Sequence, residues 1–191
     1  VNDSFIFPLD VTSKESLEEL KKEIERNVGQ LDILVNNAGI SDPVRFKSIT
    51  EESWLKILET NLNGAFRVAK MTTDLMLKYN NGGSIINIAS ILAKRVGLNL
   101  TSYASAKAAL VQMTKSMALE LARSNIRVNA LAPGYILTEI NKDFFDTTEG
   151  QSYISKIPMN RLGLEKELDG ALLLLASNAS SFITGSVITV D

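Results

Sequence analysis

The sequence predicts an α/β protein: a doubly wound parallel sheet with helices on both faces. Strand-like and helix-like segments alternate along the whole chain, in the order strand, helix, strand, helix, strand, helix, strand, then loop, helix, strand. That alternation argues for parallel strands joined by right-handed crossovers. The strand-like runs are β-branched and almost wholly apolar, as strands covered on both faces must be. No internal repeat or linker interrupts the pattern, so residues 1–191 read as a single domain.

Residues 5–9, Phe-Ile-Phe-Pro-Leu, read as a short first strand that Pro8 confines to an edge or a strand end. Thr12 and Glu15 have the spacing of a capping box. The helix they open places Leu17, Leu20, Ile24 and Val28 on one face, and Gly29 ends it. Residues 31–35 form the second strand, followed at once by Asn36-Asn37-Ala38-Gly39. Alone, that tetrapeptide reads equally well as a tight turn, because Asn and Gly tolerate left-handed backbone, or as a ligand loop.

Residues 51–79 are helical in pattern, with Trp54, Leu58, Leu62 and Ala65 in one row. Gly64 breaks the pattern, costing about 1 kcal/mol relative to Ala. Asn61 sits on the neighbouring turn, either bonding backbone or solvent, or presented into a site by a kinked helix. A turn at 80–83 leads to the third strand, 84–89. After a loop at 91–100 comes an Ala-rich helix from Tyr103 to Ala122. The fourth strand, 126–132, ends at Pro133-Gly134. Residues 135–163 are irregular, with Phe144, Phe145 and Tyr153 in a polar background: a pocket-lining segment, or a loosely packed surface one. An apolar helix at 168–176 and a last strand at 187–190 complete the order.

Composition removes several chemistries. The chain has no Cys and no His, which excludes disulfides, thiolate nucleophiles, Ser-His-Asp catalysis and His/Cys zinc sites. No cluster of carboxylates suggests a hard cation, so no metal is expected. A net charge of −2 gives no electrostatic case for nucleic acid or an anionic membrane. No apolar run is long enough to span a bilayer and no signal peptide is visible, so a cytoplasmic protein is the expectation.

Against that background, residues 90–107 stand out. Tyr103 and Lys107 lie four apart on one helix face, where phenol and ammonium can meet. An ammonium nearby favours phenolate and is expected to draw the phenol pKa from about 10 toward neutrality. Such a phenol exchanges a proton with an alcohol or carbonyl oxygen, and the Ser90 hydroxyl could bond the same oxygen. Tyr-x-x-x-Lys is a weak signal alone. It gains weight because ligands of open parallel sheets bind at the carboxyl ends of the strands. Asn36 to Gly39, Asn61, Ser90 with Tyr103 and Lys107, and Pro133-Gly134 all fall there or on adjoining helices.

Taken together, these motifs resemble the short-chain dehydrogenase/reductase family over essentially the whole chain. Asn36-Asn37-Ala38-Gly39 resembles its N-N-A-G motif, and Tyr103 with Lys107 its Y-x-x-x-K. Asn61 and Ser90 occupy the positions of its catalytic Asn and Ser. Pro133, Gly134, Ile136 and Thr138 resemble the segment beside the nicotinamide, and Asp10-Val11 the pair that touches adenine. Arg161-Leu162-Gly163, and Thr184-Gly185 with Val190-Asp191, resemble its last motifs.

The resemblance implies a Rossmann-like sheet of order 3-2-1-4-5-6-7 and NAD or NADP as cofactor. It implies hydride transfer between the nicotinamide and a carbonyl or secondary alcohol. The catalytic residues would be Asn61, Ser90, Tyr103 and Lys107. The cofactor-binding residues would be Asp10, Val11, Asn37, Ala38, Gly39, Tyr103, Lys107, Pro133, Gly134, Ile136 and Thr138. It also implies a small-molecule carbonyl or alcohol substrate, with 3-oxoacyl-carrier reductases the nearest in look. A homotetramer built through helices 51–79 and 102–123 is implied as well. The family's first two strands and glycine-rich turn have no counterpart, so the resemblance implies an N-terminally truncated domain. An inactive isolated chain is then expected. The alternatives are a cofactor-free fragment and a non-catalytic binding or scaffolding relative.

Overall fold

The computed structural model describes residues 4–80, 82–139 and 141–191. Asn81, in the predicted turn at 80–83, and Ile140, in the irregular segment, lie outside them. Among the described residues four parallel strands form one sheet in the order β1 (Ile33–Asn36), β2 (Gly83–Ile88), β3 (Ile126–Pro133) and β4 (Val187–Val190). Between them run α1 (Lys14–Asn27), α2 (Glu51–Leu58), α3 (Ala65–Tyr79), α4 (Thr101–Leu121), the short α5 (Lys142–Phe145) and α6 (Thr148–Ile154), and α7 (Asp169–Ala176). Because every strand points the same way, the ends of β1, β2 and β3 open onto one rim.

The strands alternate faces, and each face has its own core. Ile85, Val128 and Ile126 pack with Met76 of α3 and Ala118 of α4. Ala89, Ala130 and Ala132 pack with Val111 of α4. On the opposite face Ile86 and Leu131 meet Leu175 of α7, with Ile88, Leu172 and Ile188 around them. Each fully buried Ile or Leu contributes about 1.5–3 kcal/mol. Polar side chains fasten the second layer. Arg127 Nη2 donates to Leu175 O (2.9 Å), capping the end of α7, and Asn129 Nδ2 donates to Ile183 O (2.9 Å) ahead of β4.

Two expectations fail at the start of the chain. Residues 5–9 do not form a strand. Among the described residues no strand pairs with them, and an extended chain without a ladder partner is not held as sheet. Phe5 and Phe7 stack on each other instead, 6.0 Å between centroids. The capping box also falls elsewhere. Ser13, not Thr12, caps α1 by accepting from Ser16 N, while Thr12 is consumed upstream by donating from N and Oγ1 to Asp10 Oδ1 (2.8 and 2.7 Å). The predicted strand 31–35 is displaced to Ile33–Asn36.

The long helix predicted over 51–79 is two α-helices joined by a π-helical turn, Glu59–Gly64, which contains Asn61. Thr50 and Ser53 form a reciprocal capping box that starts it. Gly64 is required by close approach: a Cβ there would lie 2.6 Å from Val11 Cγ2. Val11 in turn packs with Leu17 of α1 and Val68 of α3, so this contact ties the residues ahead of α1 to the π turn.

Candidate active site

Ser90 lies two residues past β2 and accepts a hydrogen bond from Leu92 N at 3.1 Å. Tyr103 is in the first turn of α4, and the Ser90 hydroxyl lies close enough to its phenol to lower the phenol pKa. Lys107, one turn on, is only 4% exposed. Its Nζ donates to Ile88 O at 2.7 Å and stands 5.7 Å from the centre of the Tyr103 ring. Strand end and helix thus bring hydroxyl, phenol and amine to one place.

The electrostatics differ from the expectation. Burial raises the Tyr103 pKa above its ordinary value, with the Ser90 hydrogen bond a smaller opposing effect. Burial lowers that of Lys107 to about 8. The amine is therefore itself weakened as a cation, and desolvation of the phenol outweighs whatever it contributes. At neutral pH the phenol is protonated and most of the amine is charged.

Asn61 is fully buried, and its amide is committed to the loop after β1. Ile40 N donates to its Oδ1 (2.8 Å) and its Nδ2 donates to Ile40 O (2.7 Å). Gly39 passes between this clamp and the amine: a Cβ on it would stand 2.7 Å from Asn61 Oδ1 and 3.5 Å from Lys107 Nζ. Asn37, Ala38 and Gly39 are exposed on the same rim. Residues 37–40 form no turn and leave β1 as a loop beside the amine.

Pro133 ends β3 paired with Val190, and Gly134 N donates to Val190 O at 2.8 Å. A Cβ on Gly134 would collide with Asp191, whose carboxylate pairs with Arg95 on the loop after Ser90 (2.8 Å). Beyond it the chain is fixed by Asn141, which accepts from Thr138 N (2.9 Å) and donates to Ile136 O (2.8 Å). Val11 packs against Gly64 of the π turn, with its carbonyl 3.4 Å from Arg67 Nη1, while Asp10 is exposed and accepts from Thr12. Tyr135, Phe144, Phe145 and Tyr153 form an edge-packed aromatic group with centroids 5.2–6.1 Å apart. Next to it Tyr135, Ile136, Ile157, Met159 and Val190, with Arg161, Glu167 and Asp191, line a cavity of about 110 Å³.

Sequence reasoning missed the polar chain beneath the site. Asn36 Nδ2 donates to Ala65 O (2.9 Å) and Asn87 Oδ1 (3.1 Å), and Asn87 Nδ2 donates to Thr114 Oγ1 (2.9 Å). The available signal was an asparagine at the centre of an apolar strand. Arg95 and Asn141, in loops, carried none. Among the described residues no group of three or more His, Cys, Asp or Glu side chains could hold a metal, and no helix is long and apolar enough to cross a membrane.

Residues 1–191 match the family model described as enoyl-(acyl carrier protein) reductase. The chain is 38% identical to the 3-oxoacyl-(acyl-carrier-protein) reductase of Thermotoga maritima, covering 97% of this chain and 74% of that protein. It is also 38% identical to the 2-dehydro-3-deoxy-D-gluconate 5-dehydrogenase of Bacillus subtilis, covering 97% and 72%. Among solved structures, a short-chain type dehydrogenase/reductase from Mycobacterium marinum superposes with a TM-score of 0.92 at 36% identity, over 97% of this chain and 73% of that one. A gluconate 5-dehydrogenase from Burkholderia cenocepacia, solved with NADP and tartrate, superposes with a TM-score of 0.91 at 36% identity, over 96% and 72%. The matches span nearly all of this chain and about three quarters of each relative, and they lend no support to the expectation that the chain is inactive.

Proposed function

The chain belongs to the short-chain dehydrogenase/reductase family, and from that premise we propose that it is an NAD(P)-dependent oxidoreductase acting on a carbonyl or secondary alcohol, with Tyr103 as general acid and base. The observation that carries the reading is the meeting of Ser90, Tyr103 and Lys107 at one strand end, with Lys107 Nζ buried and held on Ile88 O at 2.7 Å. A bound nicotinamide cofactor supplies or accepts the hydride.

The residues present fit its nicotinamide–ribose end. The Asn37–Gly39 backbone is exposed, Gly39 leaves a cradle that a Cβ would fill, and Lys107 Nζ lies 3.5 Å from that point. Asn37, Ala38, Gly39, Pro133, Gly134, Ile136 and Thr138 would hold that end, and Asp10 and Val11 the adenine. In reduction, Tyr103 gives its proton to the carbonyl oxygen as negative charge develops there. A phenol kept protonated by burial suits that direction. Ser90 bonds the same oxygen and orients it. Lys107 places positive charge near the phenolate that results and would bond the ribose. Asn61 holds Gly39 open and, through water, would connect Lys107 to solvent. A scaffold role has no observation in its favour, since all four catalytic positions are filled.

The aromatic group and the apolar part of the cavity wall favour a substrate with an apolar portion, of the 3-oxoacyl thioester type. We place the enzyme in the cytoplasm as a homotetramer through helices 51–79 and 102–123. The test is Tyr103→Phe, assayed with NADH and NADPH against a panel of carbonyls. A fall in kcat of about 10²-fold or more is expected, with the thermal shift given by the preferred cofactor retained. Undiminished kcat would exclude Tyr103 as the proton donor.

A further inference from the structure

We propose that Asn87 and Thr114 are positioning residues that set the height of α4 on β2, and thereby hold Lys107 Nζ on the carbonyl of Ile88. Lys107 and Thr114 lie seven residues apart on α4, two turns along the same stripe. Both bond to consecutive residues of β2: Lys107 Nζ to Ile88 O (2.7 Å) and Thr114 Oγ1 to Asn87 Nδ2 (2.9 Å). The helix is therefore pinned to the strand at two points, one of them beside the reactive groups and the other beneath them.

The lower pin is specific in a way that apolar packing is not. Asn87 and Thr114 are both fully buried, so neither has water to fall back on. Asn87 Oδ1 accepts from Asn36, whose amide also reaches Ala65 O at the end of the π turn, and Thr114 Oγ1 donates onward to Leu110 O (2.8 Å). Every link is directional, and a slide of α4 by a fraction of a turn would break several. The apolar contacts on either side of the pin, Val111 with Ala89, Ala130 and Ala132, and Ala118 with Met76, Ile85, Ile126 and Val128, carry no such directionality. Tyr103 is the titratable group that faces the amine from the same helix.

The inference rests on reading Lys107 as part of the proton-handling pair, so its test includes a readout that needs no turnover. Lysines are reductively methylated with ¹³C-formaldehyde, and the Lys107 signal is assigned by its loss in Lys107→Met. Its titration is then followed in Thr114→Val, Thr114→Ser and Asn87→Leu. In Thr114→Val the Lys107 midpoint should rise by about one pH unit as Nζ leaves Ile88 O for water. In the same variant kcat should fall about tenfold with little change in KM. Thr114→Ser, which keeps the hydroxyl, should restore both. A wild-type Lys107 titration in both Thr114→Val and Asn87→Leu would overturn the proposal, leaving the catalytic reading intact. Full turnover in Tyr103→Phe would instead overturn the catalytic reading and leave the tether standing.

Discussion

Gly64→Ala sets two known effects against each other, and the structure says which should win. A helical Gly replaced by Ala ordinarily gains about 1 kcal/mol. Here the new methyl would lie 2.6 Å from Val11 Cγ2 and 2.9 Å from Val11 Cβ. Carbon atoms pack best at about 3.5–4.0 Å, so roughly 1 Å of movement is needed. Val11 cannot supply it by rotating, because a β-branched side chain has few χ1 options and this one is wedged against Leu17 and Val68. Overpacking of this kind costs about 1–3 kcal/mol, leaving a net loss of about 1 kcal/mol after the helical gain. For a chain of this size that lowers Tm by about 2–4 °C. A double-mutant cycle by urea unfolding isolates the cause. Val11→Ala removes the Cγ2 contact at 2.6 Å but leaves the Cβ contact at 2.9 Å, so in that background Gly64→Ala should cost less than it does in the wild type, a coupling of about 1 kcal/mol. The reasoning is refuted if Gly64→Ala stabilises the wild-type chain, or if the two substitutions add without coupling.

Two further expectations concern the site. Burial depresses Lys107 from the usual lysine value to about 8. The unfolded chain therefore binds more protons between about pH 8 and 10.5, and this group's contribution to stability increases with pH across that window. Measured against Lys107→Met, which cannot titrate, the wild type should gain about 2 kcal/mol between pH 7.5 and 9.5. A gap that stays constant or moves the other way contradicts a buried amine. Gly39→Ala would put a methyl 2.7 Å from Asn61 Oδ1 and break the Asn61–Ile40 clamp. It should weaken cofactor binding by tenfold or more, with a much smaller effect on unfolding, as read by titration calorimetry and chemical denaturation.

The elements that were legible in the sequence are those whose signal is local and repeated. β2 and β3 are largely apolar runs, and the helices between strands have apolar stripes, so the alternation and the parallel sheet could be read directly, whereas the strand order came only with the family resemblance. Ser90, Tyr103 and Lys107 were found because a strand end and one turn of helix fix their relation. What could not be read depends on partners far along the chain. Residues 5–9 have strand composition, yet composition cannot supply the neighbour a strand needs. Ser13 displaced Thr12 as the cap because Asp10 captured Thr12 first, a competition settled by local geometry. The phenol's acidity was misjudged because spacing reports that an amine is near and says nothing about how dry both groups are. Asn36, Asn87 and Thr114 come from three separate elements, and nothing in sequence links them.

The π turn at Glu59–Gly64 has a consequence for how this region could change over time. It holds one residue more than a regular helix needs, and excising one would leave an unbroken α-helix with better local hydrogen bonding. Because the wide turn absorbs that residue locally, the helices on either side would keep their phase, and only the side chains within the turn would be re-aimed. The amide of Asn61 would then no longer face Ile40, and the loop bearing Gly39 would be free to fall inward. Local repair and loss of the site would arrive as a single event, so the helix is kept irregular by what its irregularity holds in place.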